Sequence, residues 1–170
     1  MADQLAAPAL KCYGNSVVKT PQIDKLAAGG IVFENAYCNS PLCAPSRFSM
    51  MTGQLPSKIS AYDNAANFSA DTPTFAHYLR AADYQTCLSG KMHFIGPDQQ
   101  HGFEERLTTD IYPSDYGWTP NWEDPSVRPS WYHNMLSVVQ AGTCVASNQL
   151  DFDEEVSYQT IRHINNLTRS

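Results

Sequence analysis

The stretch Leu42-Cys43-Ala44-Pro45-Ser46-Arg47-Phe48-Ser49-Met50-Met51-Thr52-Gly53 constrains this chain more than any other. Pro45 suits the first turn of a helix, where its missing N–H would lack a partner anyway. Gly53 suits the end, where a left-handed residue is wanted. The spacing predicts a short helix over residues 45–52. Cys43 then stands at its N-terminus, where unpaired N–H groups and the helix dipole favour negative charge. Arg47 lies one turn on, on the same face. A cysteine there can be a small buried hydrophobe. It can also be a nucleophile beside a fixed cation, an arrangement that suits an anionic substrate.

Around this helix the pattern alternates. Thr20-Pro21 with Gly29 predicts a helix over 20–29, and residues 31–37 read as a strand containing Val32 and Phe33. Thr72-Pro73 opens a second helix, whose Phe75, Tyr78, Leu79 and Ala82 form an apolar stripe read as core. Residues 84–89 read as a strand ending at Gly90, and 104–108 as a short strand-like piece. Residues 151–170 read as a helix with Asp151, Asp153, Glu154 and Glu155 in a charged first turn. Helix and strand in alternation favour an α/β sandwich with a largely parallel sheet. Residues 97–130 are rich in Pro, Asp, Gly and aromatics and predict a long irregular segment. Such segments in compact proteins are functional or disordered, and Tyr112, Tyr116, Trp118 and Trp122 argue against disorder.

A formal charge of −6 and a pI near 5.2 argue against nucleic acid or an anionic membrane surface as partner. No run reaches the ~18 apolar residues of a membrane span, and the first residues resemble no secretory signal. The five cysteines, at 12, 38, 43, 87 and 144, are odd in number and lack Cys-x-x-Cys spacing. Neither a zinc site nor a disulfide framework is expected from them, and a reduced cytoplasm is the default compartment.

Ser89-Gly90-Lys91-Met92-His93 ends a predicted strand, where α/β sheets place ligands. Residues two apart in extended chain point the same way, so Lys91 and His93 can share a site. Taken alone, the pair also suits solvated surface. Asp3-Gln4 near the start suits a solvated end.

Leu42-Cys43-x-Pro45-Ser46-Arg47 with Thr52-Gly53, Gly90-Lys91-x-His93 and Asp3-Gln4 together resemble the type I sulfatases of the alkaline-phosphatase superfamily. Several further stretches resemble the choline-sulfatases among them. These are Tyr62-Asp63-Asn64-Ala65-Ala66, residues 90–99, residues 101–113, residues 115–120 and Trp131-Tyr132-His133-Asn134. The resemblance implies an alkaline-phosphatase-like sandwich with a largely parallel central sheet flanked by helices. It implies that residues 1–170 are the N-terminal portion of one catalytic domain. The first strand, the C-terminal part, a downstream metal pair and a second lysine would lie outside them.

By the same resemblance, a formylglycine-generating enzyme converts Cys43 to formylglycine. The hydrated aldehyde attacks sulfur, with Arg47 and a divalent cation, Ca2+, stabilising the oxyanion. Asp3, Gln4 and residue 43 hold the cation. Lys91 neutralises the sulfate or the aldehyde oxygen, and His93 takes the proton as the sulfated intermediate collapses. Choline sulfate is the implied ester, its quaternary ammonium met by Trp118, with Asn64 and His133 as polar groups near the ester. A homo-oligomer is implied for the full-length enzyme. Two alternatives stand beside this one. The first is a formylglycine-dependent phosphonate monoester or phosphodiester hydrolase; the second is an inert truncated chain.

Overall fold

The structure is a computed structural model and describes residues 1–129 and 136–168. The chain divides into two compact units, 1–37 and 38–170.

In the first unit, two 3₁₀ turns, Ala7–Ala9 and Lys11–Tyr13, precede helix α1, Pro21–Gly29. Proline at the first helical position starts α1 as expected, and the Thr20 hydroxyl donates to Asp24 Oδ1 at 3.1 Å. The strand expected over 31–37 does not form. A strand is stable only with a neighbour to complete its ladder, and among the described residues none pairs with this one. The Tyr13 hydroxyl donates to the Phe33 carbonyl at 2.8 Å instead.

The second unit is built on helix α2, Cys43–Thr52. It begins two residues before the expected start, so Cys43 itself occupies the first helical position and Pro45 the third. Gly53, at φ +68°, closes it by donating its N–H to the Ser49 carbonyl at 2.8 Å. One face of α2 buries Ala44, Phe48 and Met51 against Phe68, Leu88, Met92 and Phe94. Phe48 stacks on Phe68 at 4.4 Å between ring centroids. Burying each such ring contributes roughly 1.5–3 kcal/mol.

Helix α3, Phe75–Ala81, starts later and is shorter than the sequence suggests. Thr74 and His77 form a reciprocal cap at its start, and the Thr74 hydroxyl donates to the His101 carbonyl at 2.7 Å. That anchorage turns Ala76 inward, and it alone of α3 is fully buried. The expected core role of Phe75, Tyr78 and Leu79 does not hold, for all three are exposed. A seven-residue helix pinned at one end can offer the core only one small face.

Strands β1, Cys87–Leu88, and β2, Glu105–Arg106, pair in parallel, Cys87 opposite Glu105 and Leu88 opposite Arg106. Both are shorter than expected, but the parallel sense holds, and helices flank them. Between them the chain runs without regular structure, apart from one parallel bridge joining Asn67 and Ile95. After the irregular segment come α4, Leu136–Val139, and α5, Asn148–Leu167. The Ser147 hydroxyl accepts the Leu150 N–H and sets the α5 start three residues before the expected one. Only Asp151 of the four acidic residues then falls in the first turn. Thr160 on α5 donates to the Ser89 hydroxyl at 2.9 Å, docking the helix on the end of β1. The five cysteines are free thiols. No described helix is long and apolar enough to cross a membrane.

Candidate active site

Three segments far apart in sequence meet at the N-terminus of α2. Leu42 caps that helix without a side-chain hydrogen bond, which leaves its first N–H groups in need of acceptors. Asn64 supplies one, its Oδ1 accepting the Ala44 N–H at 3.1 Å. Asn64 therefore orients the helix that carries Cys43. The Lys91 ammonium donates to Cys43 Sγ at 3.3 Å and lies 4.5 Å from the centroid of the Tyr112 ring. Arg47, buried one turn along α2, donates to the Lys91 carbonyl at 2.6 Å and also reaches Met92 Sδ. The helix cation thus fixes the backbone of the segment that carries the second cation.

His93 sits beside them, 2% exposed. Its ring centroid lies 5.0 Å from that of Trp118 and 5.6 Å from that of Tyr112. The Trp118 indole N–H donates to the Pro113 carbonyl at 3.1 Å, which fixes the ring against His93. Neither ring nitrogen of His93 makes a well-aligned hydrogen bond among the described residues, although the Asn64 backbone is close enough to favour its protonated form slightly. Burial, with the Lys91 charge next in weight, pulls the His93 imidazole down from 6.5 to about 4. At neutral pH it is an uncharged base.

The extended backbone expected for Lys91 and His93 is absent. His93 adopts φ +56°, and its N–H and that of Met92 both donate to Asp110 Oδ2, at 2.7 and 2.8 Å. Arg106 reaches the same oxygen at 3.3 Å. Asp110 is thus the clasp that folds residues 91–93 around Cys43. It and Arg106 were missed in the sequence, because no local pattern announces a carboxylate that grips a backbone 17 residues upstream.

Cys43, Arg47, Lys91, Asn64, His93 and Trp118 are thus linked by one set of contacts. Asp3 and Gln4 belong to the first unit and form an exposed turn there. His133, with the rest of the 131–134 stretch, lies outside the described residues.

The family model described as Sulfatase matches residues 1–164. The chain belongs to the sulfatase family. It is 49% identical to a choline-sulfatase of Rhizobium meliloti over 170 residues, 99% of this sulfatase chain and 33% of the relative. It spans about a third of the length of that relative. A solved protein in complex with its substrate D-glucosamine-2-N,6-O-disulfate aligns with TM-score 0.55 and 38% identity. That alignment covers 59% of this chain and 20% of the other. A phosphonate monoester hydrolase of Agrobacterium radiobacter aligns with TM-score 0.54 over 63% of this chain and 25% of the other. At 24% identity that likeness concerns the fold alone. The sulfatase fold is the alkaline-phosphatase-like one, here represented by the parallel strand pair and its flanking helices.

Such sulfatases generally use formylglycine and a divalent cation. The Asp3 carboxylate and Gln4 amide oxygen fit a hard cation in kind, though calcium takes six to eight oxygens. The Cys43 thiol fits the precursor of an aldehyde, being half-buried at a helix start beside Lys91.

The His93 environment predicts how this chain responds to acid. The unfolded imidazole binds its proton near pH 6.5 and the folded one only near pH 4. The stability due to the neutral ring is therefore complete above about pH 6.5 and lost as pH falls towards 4. A displacement of that size corresponds to roughly 3 kcal/mol. Denaturant unfolding at pH 7 and pH 4.5 should show this loss, and His93→Asn should reduce it. His101 is pulled down too, by burial, so the variant retains a residual slope. An unchanged slope would remove His93 from the account.

Proposed function

We propose that this chain is part of a sulfuric ester hydrolase acting on choline sulfate, with Cys43 as the precursor of a formylglycine nucleophile. The observation that carries it is the Lys91 ammonium 3.3 Å from Cys43 Sγ, with Arg47 and an uncharged His93 in the same site. The 49% identity to a choline-sulfatase over 99% of the chain supports the choice of ester. A hydrated aldehyde at position 43 supplies two hydroxyls on one carbon, one to attack sulfur and one to expel sulfate.

The residues around it act as follows. Lys91 and Arg47 place two positive charges where the sulfate oxygens gain negative charge, and in a partly water-excluded site those charges count for more than in solution. His93, neutral at working pH, accepts a proton at a ring nitrogen. Trp118 and Tyr112 meet edge to face, 5.6 Å apart. A quaternary ammonium cannot donate a hydrogen bond, and aromatic faces hold it at about 0.5–2 kcal/mol per contact. Asp3 and Gln4 are the residues of this chain proposed to hold the divalent cation. Residues 1–170 are proposed as the N-terminal portion of a single catalytic domain, completed by segments with the remaining metal ligands.

The test compares substrates in a protein that carries this segment within the whole catalytic domain. Choline sulfate should be hydrolysed with kcat/KM above that for phenyl phosphonate by about tenfold or more. A preference for the phosphonate would shift the assignment to phosphonate monoester hydrolysis, since the same nucleophile serves both anions.

A further inference from the structure

Away from Cys43, three side chains of metal-ligating type converge from three elements. Cys87 on β1 and Glu105 on β2 stand opposite each other in the parallel ladder, and His163 comes from α5. One ligand atom from each lies within 4.8 Å of the others, and His163 Nδ1 is already 3.6 Å from Glu105 Oε2. Donors at ~2.0–2.3 Å from a tetrahedral zinc stand about 3.5 Å apart, so small side-chain rotations close the set. The backbone frame is fixed: the ladder holds Cys87 against Glu105, and the Thr160–Ser89 hydrogen bond holds α5 on the end of β1. Beside the cluster opens a recess of about 310 Å³, lined by Glu105, His163, Gln159 and Arg162 among others.

We propose that Cys87, Glu105 and His163 bind a zinc-class divalent cation, with a fourth position open to this recess. Thiolate and imidazole are soft to borderline donors and select against calcium and magnesium. On binding, the Cys87 thiol gives up its proton to solvent, the neutral imidazole offers a nitrogen lone pair, and the carboxylate is already ionised. The thiolate and carboxylate charges then balance a 2+ ion, which makes the nearby Arg162 tolerable. Burial, and next the Glu105 charge, push the free Cys87 thiol up, and a cation between them relieves that repulsion. No sequence spacing announces the site, since its ligands stand at 87, 105 and 163.

Cobalt(II) is the probe, because a thiolate ligand gives it a charge-transfer absorption in the near ultraviolet. Titration of the protein should give one equivalent of Co2+ with that absorption, displaced by added Zn2+. Cys87→Ser should abolish the absorption. His163→Ala, on a largely solvent-facing helix, should keep the fold and weaken binding by about tenfold or more. The proposal is overturned if the parent protein binds no stoichiometric Co2+. It is equally overturned if the absorption survives in Cys87→Ser, which would place it on one of the other four thiols, or if His163→Ala binds as the parent does.

Discussion

In a protein that carries this segment within the whole catalytic domain, Cys43→Ser is expected to leave the fold intact and, under the proposed function, to remove multiple turnover of sulfate esters. Cys43 is half-buried at the first position of α2 and its sulfur accepts from Lys91 at 3.3 Å. A serine hydroxyl fits the same place and accepts the same hydrogen bond, so stability should move by less than about 1 kcal/mol. A serine offers one oxygen, however. Once that oxygen is esterified, no second hydroxyl on the same carbon remains to expel sulfate. Steady-state hydrolysis should fall by about 10³-fold or more. Choline release should stop at or below one equivalent per site, and the peptide bearing position 43 should then carry the mass of a sulfate group. Steady turnover within about tenfold of the parent would show that the reaction does not pass through position 43. In the parent protein, the intact mass of the same peptide reports whether the thiol has been exchanged for an aldehyde.

The second large effect is expected at a residue that touches neither Cys43 nor Lys91 in the described geometry. Asp110 is 5% exposed and its partner Arg106 11%, and one carboxylate oxygen also takes the Met92 and His93 N–H groups. In Asp110→Asn the amide has nearly the same shape but no charge. Arg106 then loses its counter-ion in a site where burial already pulls the guanidinium down. Removing one member of a buried pair costs more than the pair is worth, because the remaining charge is left uncompensated. A loss of about 3 kcal/mol is expected in urea unfolding. Arg106→Gln should cost less in the double variant than alone, since the charge it would have orphaned has gone. Full additivity of the two would mean that the residues do not act as a unit. Activity should fall as well, because the same carboxylate holds Lys91 and His93 in place.

What the sequence made legible was what short segments determine by themselves. Pro21 with Gly29, and Pro45 with Gly53, marked α1 and α2 because helix ends have local chemical signatures. Cys43 and Arg47 could be paired because four residues make one turn. Lys91 and His93 do lie near each other, both against the Tyr112 ring, but not for the reason the sequence suggested. Their common orientation comes from a left-handed residue and a distant carboxylate, not from the alternation of a strand. The strand expected over 31–37 and the core stripe of α3 failed for one shared reason. An apolar pattern states what a segment could bury, while burial itself depends on a partner that the pattern does not name. Asn64 was expected near the ester, yet its oxygen is spent on the α2 N-terminus, a need created only when Leu42 turns out to be the cap. The Cys87, Glu105 and His163 cluster shows the same limit, since a parallel ladder and a docked helix bring together residues that share no motif.

The left-handed backbone at His93 bears on how far this loop could be improved. A side chain at φ +56° costs of the order of 1 kcal/mol relative to glycine, which adopts that conformation freely. Glycine at 93 would relieve that strain, but removing a ring that is 2% exposed would leave a cavity beside Trp118 that costs more than the strain. A search for stabilising substitutions would therefore be drawn to an apolar side chain of similar volume there. Such a variant would rest more easily in its fold and would have nothing with which to carry a proton. Selection for durability and selection for turnover pull this position in opposite directions. A chain that keeps histidine there keeps a small, permanent tension at the place where the chemistry is proposed to happen.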